Sequence, residues 1–273
     1  MCESEPVTSQ KPDGTNVSVY ERKHREIFNS VEQQRLRRAL QVAIDAIETG
    51  SQTATALDYG CGSGNLTRHL LDLGLTTVSS DVSDGFLRLI ERTFAASDRS
   101  STLKLNGSDL AGVPDGAFDM VATYSVLHHV PDYLAIVEEM CRVIKPGGIL
   151  YIDHEVVEEY YQRPPVYAEF LQKARPRVDW RRVARLVFDV RGYIHILRRL
   201  MNPRYRREGD IHVWPDDHIE WSKIEDILTA NGFETILKQE YLLCKGIYDP
   251  QVYEQYKDRC VDERVLISRR KRT

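Results

Sequence analysis

The stretch Leu57-Asp58-Tyr59-Gly60-Cys61-Gly62-Ser63-Gly64-Asn65-Leu66-Thr67 constrains the fold of this chain more than any other. An apolar run ending at Leu57 reads as the end of a buried strand. Three glycines follow at alternate positions, and a helical pattern begins at Asn65. Glycine lets a tight turn adopt positive φ and lets a ligand approach the backbone closely. The helix N-terminus just beyond offers N–H groups and the positive end of a dipole. The stretch therefore reads as strand, glycine loop and helix, a unit able to cradle a nucleotide.

The segments that follow repeat the alternation of strand and helix. A helix over 65–73 closes at Gly74, and a strand from Thr76 to Ser80 leads into Asp81. In a β-α-β nucleotide fold an acidic residue about 20 positions past the first glycine meets the ribose hydroxyls, and a carboxylate can accept from both. An Asp after a strand also serves commonly as a cap. Ser83 opens another helix, and Leu103–Asn106 reads as a third strand, followed by Gly107-Ser108-Asp109-Leu110. A fourth strand spans Phe118 to Tyr124 and runs into Ser125-Val126-Leu127-His128-His129-Val130-Pro131-Asp132. A helix from Asp132 to Ile144, the turn Lys145-Pro146-Gly147-Gly148 and a fifth strand, Ile149–Asp153, complete the series. Strands and helices in alternation with short turns require a parallel sheet covered on both faces.

The dinucleotide fingerprint is G-x-G-x-x-G, whereas this loop is G-x-G-x-G with Asp58 two residues ahead of it. That loop, Asp81, the Leu-His-His-Val-Pro-Asp segment and the Lys-Pro-Gly-Gly turn, in this order, resemble the class I S-adenosylmethionine (SAM) methyltransferases in their small-molecule branch, methyltransferase type 11. The resemblance covers about residues 54–155 and weakens outside them. It implies an α/β, Rossmann-like, seven-stranded and mostly parallel sheet with helices on both faces and a helical lid inserted after strand five. It also implies SAM as cofactor, S-adenosylhomocysteine (SAH) as product, and no metal. The cofactor positions it implies are Asp58, Gly60, Cys61, Gly62, Gly64, Asp81, Val82, Asp109, Leu110 and Ser125, with Asp109 near the adenine amino group or else simply a turn residue.

The remaining chain divides around this core. Residues 1–17 read as a disordered tail, 18–155 and 216–273 as the core with an N-terminal cap helix, and 156–215 as a basic helical insertion. Ser30 is the expected N-cap of the first helix, with Gln33 in capping-box position. Tyr20 and His24 either pack on the surface or close over the cofactor. Trp221–Asn231 reads as a helix, and Phe233–Leu243 and Arg264–Ser268 as antiparallel strands that finish the sheet. Five scattered cysteines without a C-x-x-C pair fit a reducing cytosol and argue against a zinc site. The polar N-terminus lacks the pattern of a secretory signal, and no run reaches the ~18 apolar residues of a membrane span. A net charge of -4 gives no overall bias toward nucleic acid.

The insertion should lie over the carboxyl ends of the strands, where open α/β sheets bind ligands. From Arg163 to Arg207 it carries 13 Lys or Arg against 3 Asp or Glu, a balance of +10 in a chain of -4. Trp180, Val183, Val187, Val190, Ile194, Leu197 and Met201 recur at helical spacing with arginines off that stripe, a basic amphipathic pattern. Three roles remain open: a solvated face packed on the body or on a dimer partner, a site for an anionic substrate, and peripheral contact with an anionic membrane. His218 is a further lid candidate, in a stretch where Asp217 or Ser222 also reads as the cap of the next helix.

Methyl transfer from a sulfonium leaves the protein to position the acceptor and exclude water. A hydroxyl acceptor needs a base near neutral pH, and histidine suits that. His128, His129 and His154 all follow strand carboxyl ends and are the candidate catalytic residues. Thr123-Tyr124-Ser125-Val126 stands where nucleobase amino methyltransferases carry Asx-Pro-Pro-aromatic, which points to O- or N-methylation of a small molecule, anionic or lipid-like. The alternative reading is a non-catalytic protein that binds SAM or SAH to regulate a partner.

Overall fold

The structure, a computed structural model, describes residues 27–51, 53–174 and 219–272. The first helix, α1 (Ser30–Asp45), precedes β1 (Thr55–Tyr59), α2 (Asn65–Asp72), β2 (Thr76–Asp81), α3 (Asp84–Thr93), β3 (Ser100–Lys104) and β4 (Phe118–Tyr124). A single 3-10 turn, Leu127–His129, leads to α4 (Tyr133–Val143) and β5 (Ile144–Val156). Then follow α5 (Glu158–Gln162), α6 (Pro165–Ala174), α7 (Trp221–Ala230), β6 (Phe233–Tyr241), α8 (Pro250–Tyr256) and β7 (Glu263–Arg270). The seven strands form one sheet in the order β3-β2-β1-β4-β5-β7-β6. β1 to β5 run parallel, and β7 is antiparallel to both β5 and β6. This is the Rossmann-like sheet expected from the sequence. The strand order reverses between β1 and β4, and at such a switch point the carboxyl ends open a crevice for ligands.

Both faces of the central strands are buried, as a parallel sheet requires. On one face Leu57, Val121, Leu150 and Ile152 pack under α4 and α7 through Ile136, Val137, Met140, Trp221 and Ile224. On the other, Ala56, Met120, Ala122 and Tyr151 meet Leu36, Leu40 and Ala43 of α1 and Leu66 and Leu70 of α2. The alternation along β1, β4 and β5 is the period-2 signature of strands. A third cluster lies beside β6, where Tyr167 and Phe170 of α6 pack on Tyr253 and Tyr256 of α8.

The Lys-Pro-Gly-Gly turn belongs to the opposite end of the sheet from the crevice. Lys145 Nζ donates to Asp119 Oδ2 at 3.0 Å, and Asp119 also accepts from Ser51 Oγ and from the N–H and hydroxyl of Thr55. These hydrogen bonds overcome burial and hold the Asp119 carboxyl below its ordinary range. The turn thus locks the amino ends of β1 and β4 to the start of β5.

Several local expectations shift. Asn29, not Ser30, caps α1: its side chain accepts from the N–H of Glu32 at 3.0 Å, and Ser30 is the first helical residue. Gln33 reaches back to the carbonyl of Ile27 instead of the cap. β3 begins at Ser100 rather than Leu103, because an edge strand half open to solvent accepts a Ser-Ser-Thr run. β5 starts five residues earlier than expected and incorporates the Lys-Pro-Gly-Gly turn itself. α8 has no counterpart in the sequence reading; Asp249 caps it and Pro250 opens it. The insertion is described as far as α5 and α6. The Trp180 stripe, most of its arginines, Tyr20, His24 and His218 lie outside the described residues. No described helix is long and apolar enough to cross a membrane.

Candidate active site

The glycine loop is held by the neighbouring strand. The N–H groups of Gly60 and Cys61 both donate to the carbonyl of Ser80, each at 2.9 Å, so β2 sets where the loop leaves β1. Gly60 has φ +75, and a Cβ built on it would stand 2.6 Å from both γ-carbons of Val126. Gly60 therefore lets the cofactor loop pass directly against the residue that begins the histidine turn. Gly64 has φ +88, caps α2 in the left-handed conformation and packs against Ile90 and Phe94. Cys61 is buried, and desolvation pushes its thiol far up, so it acts as an apolar wall.

Asp81 closes the loop from the end of β2. Its Oδ2 accepts from the N–H of Gly62 at 3.0 Å and its Oδ1 from that of Ser83 at 2.7 Å. Burial raises this carboxyl against the opposing pull of those two N–H bonds. Each oxygen keeps a further lone pair for a donor. Beside it Val82 is 52% exposed, an apolar surface next to a carboxylate, and the loop at Gly107 comes up against its side chain. Asp58 lies deeper. It accepts from Thr67 Oγ1 at 2.5 Å, and Thr67 pairs with Ser79 Oγ at 2.8 Å. Burial, reinforced by the Asp81 charge and opposed by Thr67, pushes Asp58 up to about 7. Asp58 thus braces α2 against β1 and β2 from inside the core.

These parts suit the cofactor that the motif implies. A carboxylate with spare acceptor capacity, an exposed apolar surface beside it and a backbone turn that admits close approach match ribose, base and a compact cationic tail. Asp109 fits less directly. Its carboxylate is exposed and accepts from Asn106 Nδ2 at 2.8 Å and from the N–H of Ala111 at 3.1 Å, which hold it below its ordinary range. Its Oδ1 closes the turn, which is one of the two readings. Leu110 turns inward to the core, its N–H on Glu139 and its carbonyl on Arg142.

The carboxyl ends of β4 and β5 carry the histidines. Ser125 has φ +58, and its N–H donates to the carbonyl of Asp153 at 3.0 Å. Glu155, 1% exposed, receives the next turn. Its Oε1 accepts from the N–H groups of Val126 at 2.9 Å and Leu127 at 2.7 Å, and its Oε2 lies 2.7 Å from His128 Nδ1. His129 packs against His128 with ring centroids 4.0 Å apart. His154 has φ +59 at an irregularity of β5 and stacks on Tyr124, centroids 4.8 Å apart. Of the three histidines, His128 alone has its ring on a buried carboxylate among the hydrogen bonds described.

A second polar cluster backs this end of the sheet from α1. Arg35 reaches Asp153 Oδ2 at 2.9 Å and Glu32 Oε1 at 2.5 Å, and its guanidinium lies 3.8 Å over the Tyr241 ring. Asp153 accepts also from the hydroxyls of Tyr151 and Tyr241, and Glu32 from that of Tyr124. Burial works against the Arg35 charge, but Asp153, Tyr241 and Glu32 outweigh it and hold the guanidinium cationic. Neither Glu155 nor the Glu32–Arg35 pair stands out in the sequence. Glu155 had only one signal, a charged residue two places past an apolar strand.

Comparison with known proteins agrees with the fold and the loop. A methyltransferase domain family matches residues 57–152. The ubiquinone biosynthesis O-methyltransferase of Thiobacillus denitrificans is 32% identical over 123 residues, 44% of this chain and 53% of that one. The demethylmenaquinone methyltransferase of Bacillus licheniformis is 38% identical over 98 residues, 35% of this chain and 42% of that one. The chain therefore spans about half the length of the curated relatives it matches. A SAM-dependent methyltransferase structure from Methanosarcina mazei shares the fold at TM-score 0.52 and 18% identity, over 82% of this chain and 95% of that one. Glycine loop, acidic strand end, strand order and domain match agree that residues 57–152 are similar to a methyltransferase domain.

Proposed function

We propose that this protein transfers the methyl group of SAM to a hydroxyl of a small aromatic acceptor of the quinol type, with His128 as the base. The observation that carries the proposal is the junction at Gly60 and Val126. There the loop suited to the cofactor touches the first residue of the turn that bears His128, and that turn is seated on Glu155. The acceptor class rests on what the relatives are named for. SAM, when bound, supplies a methyl group activated on a sulfonium. Asp81 would hold the nucleoside from its ribose, Val82 would offer an apolar surface to the base, and the glycine loop would admit close approach of the cofactor. His128 takes the hydroxyl proton as the acceptor oxygen forms its bond to the methyl carbon. The products would be the methyl ether and neutral SAH, with the hydroxyl proton on His128.

The division of the chain belongs to the same proposal. On this reading residues 156–215 serve as a lid for a core of 18–155 and 216–273, and Tyr20, His24 and His218, which lie outside the described residues, are its candidate substrate contacts. Scattered cysteines and the small-molecule chemistry suit a cytoplasmic protein. The +10 charge of 163–207 suits an anionic acceptor or an anionic lipid surface. Co-sedimentation with anionic vesicles separates those two.

The test is calorimetric titration with SAM, SAH and NADH, on the wild type and Asp81→Ala, followed by transfer of labelled methyl to hydroxylated aromatic acceptors. Micromolar SAH binding, weakened about 100-fold in the variant (about 2.7 kcal/mol), is expected, with NADH inert. A folded protein that binds neither SAM nor SAH would refute the cofactor assignment.

A further inference from the structure

We propose that Glu155 is the positioning residue for His128. It holds the imidazole in the tautomer with its proton on Nδ1, which makes Nε2 the basic nitrogen. The inference rests on the base role given to His128 above for its consequence in turnover, but its geometry stands apart from that role.

Glu155 reaches the turn because β5 is irregular at His154. The register with β7 shifts between Asp153 and Glu155, and His154 takes a positive φ. Asp153 remains with Arg35 and Tyr241 on the α1 side. Glu155, two residues on, reaches the turn that begins at Val126. An irregularity of this kind re-aims a side chain at the cost of one unpaired residue.

The two oxygens of Glu155 then have separate tasks. Oε1 takes two backbone N–H groups, those of Val126 and Leu127, at the start of the 3-10 turn. Among the described residues Oε2 faces the imidazole, at 2.7 Å from Nδ1. A carboxylate accepts and does not donate, so a hydrogen bond at this distance requires the proton on Nδ1. The other ring nitrogen is then the one that can receive a proton. When it does, the imidazolium forms against a carboxylate already in place and needs no reorganisation. The same carboxylate fixes both the backbone of the turn and the ring upon it, so the direction of Nε2 is set relative to the glycine loop through Val126.

This arrangement makes one substitution unusually informative. In Glu155→Gln the side chain keeps its shape. Two backbone N–H groups still demand the amide oxygen, so the amide NH2 is left facing His128 Nδ1. A donor there turns Nδ1 into the acceptor and moves the ring proton to Nε2. The substitution should invert the tautomer and leave the turn capped. A residue that merely filled space would not do this.

The experiment is a long-range proton–nitrogen correlation spectrum of the full chain labelled with 15N-histidine, near pH 8. The His128 signals are assigned by their loss in His128→Gln. The wild type is expected to show the Nδ1–H form and Glu155→Gln the Nε2–H form, with SAH affinity within about threefold of wild type. With an acceptor in hand, kcat of Glu155→Gln should fall about 100-fold or more while KM for SAM stays nearly constant. A wild-type ring in the Nε2–H form overturns the proposal even if the variant fails to fold. An unchanged tautomer in a folded Glu155→Gln overturns it as well. If the tautomer inverts as stated but His128→Gln retains full turnover, the positioning role stands and the base assignment fails.

Discussion

The carboxyl ends of β1 and β2 and those of β4 and β5 lie side by side on one sheet, yet they are built differently. The first pair makes its site from backbone and from residues close in sequence. The glycine loop hangs on the Ser80 carbonyl, and Asp81 reaches back 19 positions to Gly62. The second pair makes its site from side chains brought together over distance. Glu155 meets His128 across 27 positions, and Arg35 meets Asp153 across 118. A cofactor common to many reactions is served by local backbone geometry, which tolerates few residues but needs few contacts. The second region depends on buried polar side chains, which must all be satisfied at once.

The contrast is most exposed at Arg35. Replacing it with Met leaves Asp153 and Glu32 buried with no cation beside them. Loss of one partner from a buried ion pair costs about 3–5 kcal/mol. Urea denaturation of Arg35→Met should show a loss of that size, largely recovered when Glu32→Gln and Asp153→Asn are added. SAH affinity of the folded fraction should stay near wild type, because the cofactor half makes none of these contacts. A loss under about 1 kcal/mol would mean that the network is no stronger than a surface pair.

A smaller effect is expected where the two halves touch. In Gly60→Ala the new Cβ meets Val126 at 2.6 Å and must also accept φ +75. Overpacking and a left-handed non-glycine residue together should cost about 2 kcal/mol. Adding Val126→Ala relieves the overlap but not the φ, so the double-mutant cycle separates the two causes. Additivity of the two changes would show that the halves do not press on each other.

The last effect is read as a slope against pH and concerns Asp58. Its folded-state value of about 7 lies above the ordinary 3.8. The folded protein thus keeps a proton that the unfolded chain has released between about pH 4 and 7. Unfolding releases that proton in this window, so stability falls as pH rises through it, by about 1.4 kcal/mol per pH unit for one proton. Asp58→Asn still accepts from Thr67 but cannot titrate. Thermal melts from pH 4.5 to 7.5 should fall less steeply for the variant than for the wild type. Parallel curves would mean that Asp58 is ionised throughout.

The sequence alone determined the order of strands and helices, the parallel sheet and the glycine loop between β1 and α2. These follow from hydrophobic period, glycine spacing and short turns, all local in the chain. Even local chemistry left room where neighbouring residue types compete, as when Asn29 took the cap from Ser30. The β3 shift has the same origin, because an edge strand does not demand apolar residues. Tertiary structure alone decided the rest: that the Lys-Pro-Gly-Gly turn locks the far end of the sheet, that Asp109 Oδ1 closes its own turn, and that Glu155 reaches the ring of His128. The histidines were legible as residues at strand ends, but not which of them would find a carboxylate. That pairing depends on an irregularity within β5 and on a register between strands. Neither is encoded in spacing, because side chains far apart in sequence come together only once the sheet has formed.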